Sequence, residues 1–311
     1  MRFPIIDTHC DTISEALNRG QSLAENKLQL DLRRMRQYPH YTQFFACFSD
    51  PVYRGGALER CLAVIDKLYG ELEQNAKQIA LCRGYADLDR CRKHKKTAAF
   101  LSLEGGEPIQ SLGVLRALYR LGVRCIALTW NYSNHLAAGV LEPDINRGIT
   151  RFGQRVLAEM DRLGIMADVS HLNDRSFWEL TETYHKPILA THSNARKICP
   201  HPRNLTEAQF LKIRDGGGCV GINLYPSFLQ KDGQAGIKDI IAHIEYFMAL
   251  GGEENIGIGA DFDGVDALPA GINGVEDIEK IFEELARLGY SDCLLEKIAY
   301  KNFDRVFKIC L

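Results

Sequence analysis

The chain has 311 residues, of which 46% are hydrophobic and 25% charged, with a formal net charge of -2. This composition excludes a disordered chain. Acids and bases are near balance without a long run of either sign, which excludes a nucleic-acid groove or a basic membrane-binding patch and leaves a small molecule as the expected ligand.

The first element is an apolar run that ends in polar residues, PIIDTH from Pro4, followed by Cys10 and Asp11. In an extended chain alternate side chains share a face, so His9 and Asp11 point the same way, as two ligands of one metal ion would. Cys10 then faces the other side and packs, and Asp7 reads as a structural neighbour. The apolar stretch at 3–6 is far too short for a secretion signal, and no run approaches the roughly 20 residues of a membrane span. The closing DRVFKICL carries neither a lipid-anchor tail nor a prenylation cysteine. A soluble, cytoplasmic protein is expected. The ten cysteines are scattered singly, several inside apolar runs (Cys47, Cys125, Cys219), and read as reduced, buried thiols.

Seven more apolar runs follow in order. They are YTQFFACFS from Tyr41, TAAFLSLEG from Thr97, VRCIALTWN from Val123, IMADVSH from Ile165, PILATHS from Pro187, CVGINLY from Cys219 and NIGIGADFDG from Asn255. Between them lie stretches of helical period, among them ALERCLAVIDKLYGELEQNAKQIALC, ITRFGQRVLAEMDRLG and IKDIIAHIEYFMALGG. Thr206 and Gln209 form a capping box ahead of LTEAQFLKIRD, and Gly164 and Gly251 are stop signals. The alternation predicts an α/β protein, a closed (β/α)8 TIM barrel occupying residues 1–311 as one domain. The length beyond a minimal barrel is assigned to 12–40, 50–96 and helices after the last strand.

In such barrels the chemistry lies at the C-terminal ends of the strands. Strand one ends with His9 and Asp11, strand three with Glu104, strand five with His171, strand six with His192, strand seven with Tyr225 and strand eight with Asp261. Neutral imidazoles and carboxylates are zinc donors, and five or six of them are too many for one four-coordinate ion. They suit two ions about 3.5 to 4 Å apart with a carboxylate between them. Each residue alone has a plainer reading: a loop histidine, a helix-capping Glu104, or Asp261 and Asp263 as turn residues in GADFDG. Their common position at one edge of the inferred sheet argues for the site.

The motifs IIDTHCDT, SLEGGEP, DVSH, THSNAR followed by HPRN, GINLY and GADFDGV, in this order along nearly the whole chain, resemble the membrane (renal-type) dipeptidase family of zinc peptidases, peptidase family M19, within the amidohydrolase group of barrels. The resemblance implies that His9 and Asp11 bind one zinc, that His171 and His192 bind the other, and that Glu104 bridges the two. It implies that Asp261 handles the proton of a bridging water, that Arg203 of HPRN binds the substrate carboxylate, and that Tyr225 lines the substrate pocket. The implied activity is hydrolysis of dipeptides, including those with a D-residue at the C-terminal position, by a hydroxide bridging two zinc ions. The small dipeptide is then the partner, with a homodimer as the expected assembly.

One position departs from that pattern. Family members close the fourth strand with a Leu-Thr-His sequence whose histidine polarises the scissile carbonyl, and here ALTWNYSNH puts Trp130 there. Indole donates one hydrogen bond and cannot carry a proton back and forth. Trp130 and Asn131 are therefore counted among the substrate-contacting residues, with Asn134 and His135 as further candidates to replace the histidine. Two other readings stay open: an amidohydrolase acting on lactams, cyclic amides or phosphoesters, and a catalytically weak metal-binding barrel.

Overall fold

The structure, a computed structural model, describes residues 2–48, 50, 55–142 and 144–311. Nine parallel strands run in chain order: β1 (Ile5–Cys10), β2 (Tyr41–Phe48), β3 (Ile79–Leu81), β4 (Thr97–Glu104), β5 (Val123–Ala127), β6 (Met166–Asp168), β7 (Leu189–Ala190), β8 (Cys219–Ile222) and β9 (Ile256–Ile258). Each of the eight anticipated runs supplies one strand. β1 pairs with β2 and β9, β2 also pairs with β4, and the ladder continues β4-β5-β6-β7-β8-β9, which closes an eight-stranded barrel. The long strands are apolar on both faces because helices cover the outside and side chains fill the inside, as parallel sheets require.

The helices are α1 (Thr12–Asn18), α2 (Leu32–Met35), α3 (Ala57–Gln74), α4 (Tyr85–Lys93), α5 (Leu112–Leu121), α6 (Arg151–Leu163), α7 (Asp174–Thr183), α8 (Glu207–Asp215), α9 (Pro226–Leu229), α10 (Ile237–Ala249), α11 (Glu279–Arg287), α12 (Asp292–Glu296) and α13 (Asn302–Cys310). The capping box of α8 forms as the sequence predicts, with Thr206 and Gln209 each bonded to the other's backbone. α6 stops at Gly164, whose φ of 75° needs no Cβ.

The ninth strand corrects the helix expected to run on to Cys82. α3 ends at Gln74, and Ile79–Leu81 instead pairs with Thr97–Ala99 of β4, below the point where β5 takes over the same edge at Leu101. Three apolar residues directly after a helix carry no period of their own, so the switch is invisible in the pattern.

The barrel interior is layered. Ile6, Phe44, Phe100, Met166 and Leu189 fill its lower half, closed from beneath by Phe303 and Phe307 of α13. Phe44 lies 5.0 Å from Phe100 and 5.3 Å from Phe307, ring centre to ring centre. With the bottom sealed by apolar packing, polar side chains from the strand ends are left to gather at the top. The ten cysteines are unpaired, and all but Cys293 are buried. No helix among the described residues is long and apolar enough to cross a membrane.

Candidate metal centre

The top of β1 is irregular, and this sorts its polar residues. The register with β2 shifts between Asp7 and Cys10, inserting one residue on the β1 side. Thr8 bonds the Thr191 and Ile258 carbonyls across the barrel, and Cys10 joins the outer core. Asp7 accepts from the backbone amides of His9 and Ala260, so it holds two strand ends in place away from the cluster. Burial pushes its carboxyl up to about 7.

His9, Asp11, Glu104, His171, His192 and Asp261 meet at the mouth, all buried. Glu104 is the centre of the group. Its Oε1 lies 2.8 Å from Nε2 of His171 and 3.6 Å from Nε2 of both His9 and His192. On the other side, His9 Nε2 is 3.6 Å from Asp11 and 3.8 Å from Asp261. His9, Glu104 and His192 offer ligand atoms within 4.8 Å of one another, and so do His9, Asp11 and Asp261.

Surrounding groups set the imidazole tautomers. Thr191 Oγ1 donates its one proton to Asp168, 2.5 Å away, so it can only accept from His192 Nδ1 at 2.8 Å. Asp168 is held in turn by the Thr191 amide and the Ser170 hydroxyl. His171 Nδ1 donates to Asn131 Oδ1 at 2.8 Å. Both rings therefore present Nε2 lone pairs, which face each other at 2.8 Å, with Arg203 Nη2 donating to that of His171 at 3.3 Å. Two lone pairs that close repel unless a cation lies against them. His9 Nε2 and Asp11 Oδ1 are buried without a hydrogen-bond partner among the described residues, which is costly for ordinary polar groups. Ring nitrogens bared by hydrogen bonds at the other nitrogen are what metal ligation asks for. The residues present thus fit a metal-binding role.

Burial disfavours the charged His9 ring, but Glu104 and Asp11 outweigh it and raise that ring well above its usual range. Burial, then Glu104, pushes the Asp11 carboxyl up to about 7, and burial raises Asp261. Burial also works against the charged Glu104, yet His9 and His171 outweigh it and hold that carboxyl below its usual range. Burial, then Arg203, lowers His171 to about 4, so its ring stays neutral at physiological pH.

Asp261 sits at φ 62°, in the left-handed region that few non-glycine residues adopt. That turn aims its Oδ1 at the cluster while Oδ2 accepts from Asn223 Nδ2 at 2.8 Å. Gly264 follows closely. A Cβ there would stand 2.4 Å from both Asp11 Oδ2 and Asp261 Oδ1. Gly264→Ala is therefore expected to cost at least tenfold in turnover by displacing one or both carboxylates. Its melting temperature should stay near the parent's, because position 264 is exposed; kinetics and calorimetry on the same sample check this, and unchanged kinetics would refute it.

Above the cluster opens a cleft of about 470 Å³, lined on the metal side by Asp11, Glu104, His171 and Asp261 and farther out by Phe48, Trp130, Asn131, Arg203, Tyr225 and Phe228. Arg203 is buried, donates to the Ser170 and His192 carbonyls and to His171 Nε2, and lies under the Phe228 ring at 5.3 Å. Burial lowers it to about 10, and its Nε has no partner among the described residues. A buried guanidinium with a vacant donor suits a bidentate anion such as a carboxylate. Trp130, Asn131 and Tyr225 all reach the cleft, Asn131 also orienting His171.

Two candidates on the β5 loop do not reach it. His135 bonds the Ile109 carbonyl and stacks on Phe152, outside the cleft. Asn134 ties its own loop together through Leu128, Leu136 and Ala137. Neither stands in for a catalytic histidine. Sequence reasoning missed Asn223, Asp168 and Phe228, which act through other side chains; Phe48, the end of an anticipated strand, was findable by the same strand-end rule.

The profile of the membrane dipeptidase family, peptidase family M19, matches residues 1–310. A dipeptidase of Schizosaccharomyces pombe, itself uncharacterised, is 31% identical over 98% of this chain and 80% of its own length. An uncharacterised Klebsiella pneumoniae protein encoded beside pqqA is 35% identical over 79% of this chain and 93% of its own. Among solved structures, the family M19 metallopeptidase called dipeptidase AC superposes with a TM-score of 0.93 at 28% identity, covering 100% of this chain and 99% of its own. A Rhodobacter sphaeroides metallopeptidase, bound to a phosphinate mimic of the dipeptide L-Ala-D-Ala, gives 0.92 at 27% identity with both chains fully covered. With its barrel, its cluster of potential metal ligands and this whole-length match, the chain belongs to the membrane dipeptidase family M19 and is a hydrolase acting on dipeptides.

Proposed function

We propose that this dipeptidase works with two zinc ions, His9 and Asp11 holding one, His171 and His192 the other, and Glu104 shared between them. The observation that carries the proposal is Glu104 Oε1 standing 2.8 to 3.6 Å from three imidazole Nε2 atoms, two of them on rings whose proton is committed at the opposite nitrogen. When bound, such ions would supply a water acidified to a pKa of about 7 and a Lewis acid for the peptide carbonyl.

The chain's own residues do the rest. Arg203 binds the carboxylate of a dipeptide through its vacant donor, fixing the peptide bond over Glu104 and limiting the substrate to short lengths. Asp261 takes the proton of the attacking water on Oδ1 and delivers it to the leaving amine. Asn223 keeps that carboxylate turned to the cleft. Trp130 carries no proton, and no histidine of the β5 loop replaces one, so activation of the carbonyl falls to the metal side of the cleft. A D-residue at the C-terminal position is accepted, which the L-Ala-D-Ala mimic in the Rhodobacter sphaeroides relative supports. The unpaired cysteines support a cytoplasmic location.

Purified protein should carry about two zinc ions per chain by elemental analysis. Chelation should abolish amino-acid release from dipeptides, and added zinc should restore it. A screen pairing L- and D-residues at the C-terminal position, with lactams as a separate arm, reads the substrate class. Protein without metal that stays inert on the panel after zinc addition overturns the proposal.

A further inference from the structure

The strand order around the barrel, β1-β2-β4-β5-β6-β7-β8-β9, sets β7 opposite β2 and β8 opposite β4, so the Arg203 side of the cleft faces Phe48, against which Trp130 packs from β5. Arg203 and Tyr225 come from the connections after β7 and β8, whereas Phe48 and Trp130 close β2 and follow β5. Glu104, on β4, stands between Phe48 and Trp130 and reaches in to His9, His171 and His192. A dipeptide whose carboxylate is fixed at Arg203, with its peptide bond over the cluster, must therefore lay its amino-terminal residue toward Phe48 and Trp130.

That wall is aromatic and preshaped. The Trp130 ring centre lies 5.3 Å from that of Phe48, 5.5 Å from Tyr132 and 6.2 Å from His171. The backbone beneath it is clamped. Gly139 packs so closely that a Cβ there would stand 2.6 Å from the carbonyl oxygens of both Trp130 and Asn131, and the Leu141 amide bonds the Asn131 carbonyl at 2.8 Å. A rigid indole face offers a large apolar contact at little entropic cost.

We propose that Trp130, backed by Phe48, forms the subsite for the side chain of the amino-terminal residue and selects dipeptides in which that residue is aromatic or a large aliphatic. The inference rests on the dipeptidase reading and names the substrate class within it. Trp130 here is a specificity-determining residue that contacts substrate and takes no part in proton transfer.

The zinc-loaded enzyme is assayed on Gly-D-Ala, Ala-D-Ala, Leu-D-Ala and Phe-D-Ala and on the matching L-Ala series. The expected result is a kcat/KM that rises roughly tenfold or more from the glycyl to the phenylalanyl member. Trp130→Ala should remove that rise, mainly through KM; Trp130→Phe should retain most of it. A second readout does not use turnover. In a Trp178→Phe background Trp130 is the one remaining tryptophan, and its emission should shift on binding a phosphinate analogue of Phe-Ala but not of Gly-Ala. A flat substrate series, equal losses on every member in Trp130→Ala, or an emission that ignores the Phe-Ala analogue overturns the subsite. If the parent cleaves no dipeptide, the hydrolase reading falls, and the emission experiment still decides the subsite.

Discussion

Asp261→Asn is expected to lower kcat by about 10²- to 10⁴-fold while leaving the fold and the bound metal in place. The substitution is close to isosteric, and asparagine tolerates the left-handed backbone that Asp261 adopts at φ 62°. Asn223 Nδ2 needs an acceptor at this position, 2.8 Å away. The new amide must turn its oxygen there, which leaves its NH2 facing His9 and the cleft, where a group that can accept a proton is required. The measurement is kcat with zinc content and melting temperature on the same preparation. A kcat within tenfold of the parent would falsify the proton-transfer role. Loss of one zinc alongside activity would instead make Asp261 a ligand, the reading its grouping with His9 and Asp11 also permits.

Glu104→Gln should be the more damaging change, lowering kcat/KM by at least about 10³-fold and zinc content to one ion per chain or fewer. Its carboxylate lies within 3.6 Å of all three imidazole Nε2 atoms, and it is buried. An amide contributes no charge to balance two dications and offers only one oxygen in place of two. The fold should survive, since the apolar layers lie lower in the barrel. Elemental analysis and steady-state kinetics check the pair of effects; a variant that keeps two zinc ions and most of its activity would remove Glu104 from the centre of the site.

Much of the architecture was legible because parallel barrel strands are apolar on both faces and so stand out as runs. That legibility ended where the runs became short. Ile79–Leu81 could not be separated from the helix before it, although its pairing with β4 is what fills the edge below β5. The polar side chains that gather at the mouth were legible because their chemistry is unusual at a strand end. The residues that aim them were not, since Asp168, Thr191 and Asn223 are ordinary polar residues whose role depends on which loop packs beside them. His135 shows the converse. A histidine near an expected functional position looked useful, but the loop folds it onto Phe152. Asp7 lies two residues before His9, and strict alternation would put both on one face; the register shift in β1 separates them.

The hydrogen bond from His192 Nδ1 to Thr191 has a further consequence for the protein without its ions. With the ring protons committed elsewhere, two imidazole lone pairs and three carboxylates crowd a buried rim, and within the protein Arg203 lies against one of those lone pairs. The barrel is thus built under electrostatic load at one end. Under the two-zinc proposal the cations would also act there as the counter-charge of the fold, and loading the metal and consolidating the upper barrel would be one event.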